Sequence, residues 1–389
     1  MSPQHLRVLT LATNGTWTDE FQLGPEQITI HGHKNWFIRK QRLRGGLQDG
    51  VDEIEVNNGA LSFSILPTRG MGIWKGSYHG LTLGWQAPVQ GPVHPQFVNL
   101  ADRKGLGWLT GFNEWLCRCG LVSNGPPGDD QGTALTLHGR IANLPAHLVQ
   151  ASISFDKPHT LTISGIVDEG GLFLGRLRLH TTYSTELDSN RIAIHDEVEN
   201  VSSQPAEMQL LYHLNFGPPL LQAGSRFALP IREAAPHTPR AAEDIDGFDV
   251  YLGPTAGYQE QVYDFLPATD AEGQTLALLR NQNGDAGAVL RWKVQELPCF
   301  TIWKNTQTEA DGYVTGLEPA TNFPYFKAHE RSQGRVRMLE PGGRWECTWS
   351  IDILDSKAAM DAVLSEIADI QKTTQANINR MPVFGPPGV

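Results

Sequence analysis

The chain has 389 residues, of which 40% are hydrophobic and 19% are charged, so it can bury a sizeable core. Its formal net charge of -11 and pI of about 5.6 argue against nucleic acid or an anionic membrane surface as the main partner. No stretch approaches the roughly 20 consecutive apolar residues that a membrane-spanning helix needs, and the first residues lack the apolar run of a signal peptide.

The four cysteines form no C-x-x-C pair, and Cys117 and Cys119 are too close in the chain for a usual disulfide. This usage is typical of free thiols in a reducing compartment. We therefore expect a cytoplasmic protein.

Strand and turn signals fill most of the chain. Residues 51–56 and 60–66 alternate apolar and polar residues at period 2, and Asn57-Asn58-Gly59 between them is a hairpin signal. Further strands are predicted at residues 148–155, 160–167, 172–183, 191–200, 207–213, 275–280, 288–294, 299–304, 313–317, 335–340 and 345–353.

Two long segments have no regular pattern. Residues 91–132 are rich in Gly, Pro and Trp, and residues 226–257 are rich in Pro, Ala and acidic residues. Long irregular loops in a compact protein are more often functional than decorative. We therefore expect at least the first of them to contribute to a site.

The period changes to that of a helix near the end of the chain. Met360, Val363, Leu364, Ile367 and Ile370 share one helical face, and Ser356 or Asp355 is suited to cap its N-terminus. No repeat or linker divides the chain. We predict one all-β domain, with an N-terminal extension at 1–50, a body of antiparallel sheets at 51–353, and a C-terminal helix and tail at 354–389, of which 382–389 form a Pro/Gly surface arm.

One carboxylate stands out near the end of the predicted strands. Glu318 lies in the segment Gly-Leu-Glu-Pro-Ala-Thr-Asn at 316–322, just before a proline that biases it towards an extended conformation. A carboxylate held in this way is suited to acid/base chemistry, and it is equally suited to a structural cap.

Three histidines lie in informative contexts. His138 precedes Gly139 at the exit of the first long loop, and His213 ends an apolar strand in Tyr-His-Leu-Asn-Phe. A turn histidine on the surface and a core histidine bonded to the backbone are the alternatives for these two. His195 lies mid-strand among charged residues, and we read it as a surface residue.

Several arginines lie near these segments. Arg118 lies between two cysteines and close to a tryptophan, where it could bind sugar oxygens or a phosphate with its planar fork, or stack structurally. Arg69 occupies a turn between strands, and Arg140 follows His138. The chain has no H-E-x-x-H motif, phosphate-binding loop, dinucleotide fingerprint or serine nucleophile elbow. We therefore expect no metal and no cofactor.

The order of three motifs resembles a known family. Leu-His-Gly at 137–139, Tyr-His-Leu-Asn-Phe at 212–216 and Gly-Leu-Glu-Pro-Ala-Thr-Asn at 316–322 resemble the aldose 1-epimerase (galactose mutarotase-like) superfamily. The turns at 65–73 and 339–343 are most similar to its DUF4432 branch. The resemblance covers roughly residues 50 to 353. It implies a β-supersandwich, in which two large antiparallel sheets pack face to face and a sugar binds in an open cleft.

The resemblance also implies roles for individual residues. Glu318 matches the general base of a mutarotase, His213 its general acid, and His138 its second histidine. Arg118 is our choice for the sugar-binding arginine, although the usual Asn-Arg-Ile setting is absent around it. Arg69 and Asn322 complete the predicted substrate-binding set.

The substrate-orienting aspartate of the family has no clear match in this sequence. Asp246 and Asp249 are the candidates, both in an irregular segment. Trp85, Trp108, Trp115 and Trp303 are candidates for a sugar-stacking surface, with core or loop packing as the alternative for each.

In the implied reaction Glu318 takes the proton of the anomeric hydroxyl while His213 protonates the ring oxygen. We expect neighbouring acidic groups to favour a protonated His213 near neutral pH. The expected partner is a small sugar or sugar derivative. The alternatives are a glycoside hydrolase or lyase on the same scaffold, which needs a second carboxylate about 5–9.5 Å from Glu318, and a sugar-binding protein without catalysis.

Overall fold

The computed structural model describes residues 4–386, which form two large sheets and a C-terminal helix. The strands of this part of the chain are β1 (Gln4–Leu11), β2 (Thr16–Trp17), β3 (Phe21–Leu23), β4 (Phe37–Arg42), β5 (Asp52–Asn57), β6 (Leu61–Leu66), β7 (Gly72–Tyr78), β8 (Leu81–Leu83), β9 (Leu116–Leu121), β10 (Gly128–Asp130), β11 (Thr133–Leu135), β12 (Leu148–Ser154), β13 (Thr160–Glu169), β14 (Leu177–Glu186), β15 (Arg191–Asn200), β16 (Ala206–Phe216), β17 (Arg226–Ala228), β18 (Ile231–Pro236), β19 (Gln261–Pro267), β20 (Gln274–Arg280), β21 (Gly287–Lys293), β22 (Cys299–Asn305), β23 (Val314–Ala320), β24 (Arg337–Leu339), β25 (Arg344–Leu354) and β26 (Asn377–Ile378).

The helices are few and mostly short. They are α1 (Asp102–Gly105), α2 (Pro239–Ala242), α3 (Lys327–Ser332) and α4 (Lys357–Gln371), with single 3-10 turns between some strands. Within residues 4–386, no helix has the length and apolar character needed to cross a membrane.

The two sheets have ten and fourteen strands. The order in the first is β17-β20-β21-β25-β15-β14-β13-β12-β1-β2. The order in the second is β26-β18-β19-β22-β23-β16-β9-β7-β6-β5-β4-β3, with β24 beside β16 and β8 beside β7. Neighbouring strands run antiparallel except β18 and β26. The predicted all-β supersandwich of antiparallel sheets is confirmed.

The core lies between the two sheets because their strands alternate. In β14 every second residue is buried, which leaves the residues between them on the outer face. A second, smaller apolar cluster forms on the outer face of the ten-stranded sheet, where Leu276 and Val289 meet Met360, Val363 and Ile367 of α4. Ser356 caps this helix by accepting a hydrogen bond from the Ala359 backbone N–H at 3.3 Å. The predicted C-terminal helix is confirmed.

Both ends of the chain join the body more closely than the sequence suggested. Residues 4–42, which lie in the predicted N-terminal extension, contribute β1 and β2 to one sheet and β3 and β4 to the other. In the C-terminal arm, Phe384 stacks on Phe323 with ring centroids 4.7 Å apart. Residues 1–3 and 387–389 of these two predicted segments lie outside the described residues.

Candidate active site

Glu318 and His213 lie side by side on adjacent strands of the fourteen-stranded sheet. Glu318 belongs to β23 and His213 to β16, two strands that pair antiparallel. Oε1 of Glu318 lies 3.2 Å from Nε2 of His213. The two residues are 2% and 4% exposed, so the contact is sheltered from water. The structure thus brings together the two side chains that the sequence proposed as base and acid.

The carboxylate of Glu318 is incompletely bonded. Although Nε2 of His213 is close, the two atoms lack the alignment of a hydrogen bond, and Oε1 has no partner among the described residues. Most buried polar atoms have a partner, so such an atom needs an explanation. One explanation is that this oxygen is left free to bind a hydroxyl group of a ligand, as a reactive carboxylate requires.

The bonding of His213 fixes which of its nitrogens carries the proton. The amide nitrogen of Asn215 donates to two carbonyl oxygens, those of Glu114 and His213, at 3.0 and 3.1 Å. Oδ1 of Asn215 therefore points to Nδ1 of His213, 2.7 Å away, and must accept its proton. In a neutral ring the lone pair then lies on Nε2, the nitrogen nearer to Glu318.

Burial moves the pKa values of the pair in opposite directions. It raises the pKa of Glu318 well above its usual range, and the nearby carboxylates of Asp264 and Glu260 add to this effect. It lowers the pKa of His213 to about 3, with a further decrease from His138. The expectation of a protonated His213 near neutral pH was therefore wrong, because loss of water outweighs the nearby acidic groups. A proton that the pair shares is therefore favoured on Glu318 rather than on His213.

His138 forms the side of the site. Its ring centroid lies 5.6 Å from that of His213, and it meets the ring of Trp108 edge-on at 4.6 Å. Nδ1 of His138 donates to the carbonyl oxygen of Asn124 at 2.9 Å, which leaves Nε2 as an acceptor in the neutral ring. Burial lowers the pKa of His138 to about 4, so the neutral form prevails at neutral pH.

Aromatic rings surround His213 on its remaining sides. Phe112 and Trp303 lie 4.9 and 5.5 Å from it, and Trp85 packs on Phe112 at 5.1 Å. The irregular segment 91–132 supplies both Phe112 and Trp108. Of the four tryptophans proposed from the sequence, Trp115 alone belongs to the core between the two sheets, where it packs against the ring of Phe216.

Arg118 points away from the pair, contrary to the prediction. It lies between Cys117 and Cys119 in β9, and because alternate residues of a strand face opposite sides, it enters the space between the sheets. There its guanidinium binds both carboxylate oxygens of Asp196 at 2.5 and 2.8 Å and donates to Tyr183 at 2.7 Å. Its contact is structural rather than with a sugar.

Arg69 and Asn322 are also occupied by other contacts. Arg69 donates to Glu114, to the carbonyl oxygens of Val93 and Gly111, and to Asn143, at 2.5 to 3.0 Å. It therefore fixes the loop that carries Phe112. Asn322 is fully buried and exchanges hydrogen bonds of 2.9 and 3.0 Å with Asn124, the residue whose carbonyl holds His138. Both residues support the walls of the site from behind.

Asp264 is an aspartate on the same face of the sheet as Glu318, and it was not identified from the sequence. Neither Asp246 nor Asp249 is close to the pair, since they bind Arg380 and Arg226 at the surface. Asp264 lies in register with Thr301, which lies in register with Glu318, so the three share one face of the sheet. A lone acid in the apolar strand β19 (Val-Tyr-Asp-Phe-Leu) was the signal that could have found it.

The carboxylate of Asp264 is held by three donors. Thr301, His237 and Tyr325 each approach one of its oxygens at 2.8 Å. This arrangement fixes the orientation of the Asp264 side chain near Glu318.

A possible metal ligand set lies far from the pair. Among residues 4–386 the only group of three suitably close ligands is His180, Glu197 and Glu199 on the ten-stranded sheet. Arg344 already pairs with both glutamates, at 2.8 and 3.3 Å.

Comparison with known proteins agrees with this fold. Residues 48–353 match the family described as "Domain of unknown function (DUF4432)". A crystal structure described as "a putative aldose 1-epimerase" from Klebsiella pneumoniae is 35% identical, with a TM-score of 0.95 over 98% of this chain and 99% of that chain.

More distant structures share the fold alone. A galactose mutarotase-like protein from Clostridium acetobutylicum is 15% identical, with a TM-score of 0.55 over 82% of this chain and 98% of that chain. A structure from Escherichia coli K12, also described as "a Putative aldose 1-epimerase", is 14% identical, with a TM-score of 0.50 over 78% and 99%. The search of curated proteins found no match. The chain belongs to the DUF4432 family, a branch of the aldose 1-epimerase (galactose mutarotase-like) superfamily.

Proposed function

We propose that this protein is an isomerase of the aldose 1-epimerase type, which interconverts the anomers of a sugar by general acid/base catalysis. The observation that carries the proposal is the buried contact of 3.2 Å between Oε1 of Glu318 and Nε2 of His213, with that oxygen otherwise unbonded. Ring opening of a sugar needs one group that accepts a proton and one that donates a proton, and it needs no covalent intermediate.

The proton balance of the pair suits this reaction. The opposite pKa shifts favour Glu318 over His213 as the holder of a proton that the pair shares, and Nε2 is the nitrogen of His213 that lies nearer to it. Transfer of that proton over 3.2 Å gives a carboxylate and an imidazolium. Glu318 then takes the proton of the anomeric hydroxyl while His213 gives its proton to the ring oxygen. The ring opens, C1 rotates, and reclosure with the roles reversed returns the pair to its starting state.

The neighbouring residues have roles in binding. Nε2 of His138 is free to accept a hydrogen bond from a sugar hydroxyl, because its Nδ1 is bound to Asn124. Trp108 and Phe112 are buried and exclude water from the pair, and the partly exposed Trp303 offers a face on which a sugar ring could stack. All four cysteines are unpaired and buried, which supports a cytoplasmic location as part of the proposal.

A hydrolytic reaction has weaker support. It would require a second reactive carboxylate beside Glu318. Asp264 is the nearest on the same face, and its two oxygens already accept three hydrogen bonds. A carboxylate that is held by three hydrogen bonds is poorly suited to activate water or attack a sugar.

The test is the rate at which freshly dissolved α anomers reach equilibrium, followed by polarimetry for a panel of hexoses, pentoses and reducing disaccharides. We expect acceleration of at least one of them by catalytic amounts of the protein, and no release of new reducing ends from oligosaccharides. Absence of acceleration across the panel, with sugar binding detected by calorimetry, would instead indicate a binding protein.

A further inference from the structure

A second cavity lies on the same sheet as the Glu318–His213 pair. It has a volume of about 380 Å³ and lies between β7, β8 and residues 85–91, with Trp74, Trp85 and Asn113 in its wall. This is enough space for a sugar ring. The Glu318–His213 pair does not line this cavity.

Asn113 is the feature of this cavity that calls for a ligand. The residue is 4% exposed, and neither its Oδ1 nor its Nδ2 has a hydrogen-bond partner among the described residues. A buried amide with both ends unbonded is costly, at about 1–3 kcal/mol for each group. Gly91 lies beside the amide, since a Cβ there would lie 3.6 Å from Nδ2. Both amide atoms are shielded from solvent, so a ligand with adjacent hydroxyls reaches them once a neighbouring side chain of the wall turns aside, and it could then donate to one end and accept from the other.

The rest of the wall matches a hydroxylated ring. Trp85 is held rigidly, because its Nε1 donates to the carbonyl oxygen of Glu114 at 3.0 Å and its ring packs on Phe112. Lys75 lies over the ring of Trp74 at 4.0 Å, which places a donor at the rim. Gln86 and Gln90 add exposed amides. Apolar aromatic walls with a few convergent polar groups are typical of sites for small organic ligands.

The cavity and the pair share one face of the sheet. Ile73 of β7 lies in register with Leu116 of β9, and both belong to the core, whereas Trp74 lies at a β-bulge beside Lys75, with which it lines the cavity on the opposite face. Cys117 points to that same face and lies in register with His213. β7 and β23 are three strand spacings apart, or about 14 Å. That span suits two or three linked sugar rings.

Trp85 and Phe112 connect the cavity to the Glu318–His213 pair. Phe112 contacts His213 at 4.9 Å and Trp85 at 5.1 Å. A methyl group at Gly217 or Gly312 would lie 3.0 or 3.2 Å from Trp85, so that ring lies close to the ends of β16 and β23.

We propose that the cavity between Trp74, Trp85 and Asn113 is a second sugar subsite, which holds a ring linked to the one on which Glu318 and His213 act. The substrate is then an oligosaccharide with a free reducing end rather than a monosaccharide. This inference rests on the proposed function, and its test separates the two.

Binding is measured by calorimetry on Glu318→Gln, with maltose, cellobiose and lactose against glucose and galactose. We expect at least one disaccharide to bind about tenfold or more tightly than its monosaccharides. Asn113→Leu added to this variant should remove the advantage, because two hydrogen bonds are lost. The control is Asn283→Leu, which replaces an exposed asparagine between β20 and β21 of the other sheet. This variant should retain the tighter binding of the disaccharide.

The variant should fold, because replacing an unbonded amide by an apolar group of similar shape costs little; a melting temperature close to that of the parent checks this. Gln90→Ala, at the exposed rim, should weaken disaccharide binding a few-fold if Asn113→Leu does not fold. Equal affinity for disaccharides and monosaccharides, or an advantage unaffected by Asn113→Leu, would overturn the subsite. Disaccharide binding that depends on Asn113 without anomer exchange by the wild type would retain the subsite and contradict the proposed function.

Discussion

A missing side chain makes room for the Glu318–His213 pair. A Cβ at Gly316 would lie 2.5 Å from Oε1 of Glu318 and 3.0 Å from Cε1 of His213. We predict that Gly316→Ala displaces the pair and lowers the rate of anomer exchange by about 10²-fold or more, since proton transfer depends on this geometry. Steady-state polarimetry measures the effect.

The matched control for this change is Gly175→Ala. Its nearest neighbour would be 3.8 Å away, and its φ is not in the left-handed region. If the Gly316→Ala variant exchanged anomers as fast as the Gly175→Ala variant, the Glu318–His213 pair would not carry the reaction.

The neutral state of His138 has a consequence for stability. The folded protein holds this pKa at about 4, against an ordinary value of 6.5, so between these values the unfolded chain binds more protons. The free energy of unfolding should therefore fall as the pH falls from 6.5 to 4.

His138→Gln removes this contribution, so its unfolding free energy should fall less steeply over that range than that of the wild type. Urea denaturation at several pH values measures this. The control is His195→Gln, the same substitution at an exposed histidine of β15. If the unfolding free energy of all three proteins changed equally with pH, this would contradict the lowered pKa of His138.

At the level of single residues, the sequence was enough to identify the candidate site residues that lie in short motifs. Glu318, His213 and His138 each lie beside a glycine, a proline or a strand end, and their order along the chain pointed to the family. Arg118 could not be placed, because the face on which a strand residue lies depends on a register that only the partner strand defines. Asp264 was missed because its three donors come from the residue after β18, from β22 and from the segment after β23.

At the level of elements, α4 is joined to the molecule by one apolar face. Ile367 is 8% exposed in the cluster with Leu276 and Val289, on the outer face of the ten-stranded sheet. We predict that Ile367→Ala lowers the unfolding free energy by about 2–4 kcal/mol and leaves the rate of anomer exchange unchanged.

Chemical denaturation and polarimetry on one preparation test both parts. Asp361→Ala, on the exposed face of the same helix, is the control and should be within about 0.5 kcal/mol of the wild type. A large loss of activity in folded Ile367→Ala would show that the helix acts on the site.

Element boundaries followed the sequence where the periodicity was strong. The hairpin at 52–66 and helix α4 match their predictions closely. β14 begins at Leu177 rather than at residue 172, because Leu172 and Phe173 belong to an exposed loop despite their apolar character. The segment 226–257, expected to be irregular, contains β17, β18 and α2, since pairing with β20 and β19 outweighs its weak propensity.

At the level of the whole molecule, a buried ion pair ties the two sheets together. Arg118 of β9 and Asp196 of β15 are 1% and 0% exposed. We predict that Arg118→Met or Asp196→Leu alone lowers the unfolding free energy by about 3–5 kcal/mol, because each leaves a buried charge without its partner.

The double variant should lose less than the sum of the two single variants, since no unpaired charge remains. Urea denaturation of the four proteins completes this cycle. Additive losses would mean that the two residues act independently.

The overall architecture could be predicted from the sequence, but the pairing of its strands could not. Strand texture and the three motifs were enough for a supersandwich with a C-terminal helix. The sequence did not indicate that β1 pairs with β12, more than 130 residues later, because such contacts depend on tertiary packing rather than on local pattern. For the same reason residues 4–42 were read as an extension.

The central claim is that Glu318 and His213 exchange the anomers of a sugar. The most direct test is magnetisation-exchange NMR between the anomeric protons of an accepted sugar at equilibrium, with wild type, Glu318→Gln and the exposed control Glu243→Gln at equal concentrations. We predict that exchange with Glu318→Gln is slower by about 10²- to 10⁴-fold, while Glu243→Gln matches the wild type. Exchange by Glu318→Gln at the wild-type rate would contradict the account.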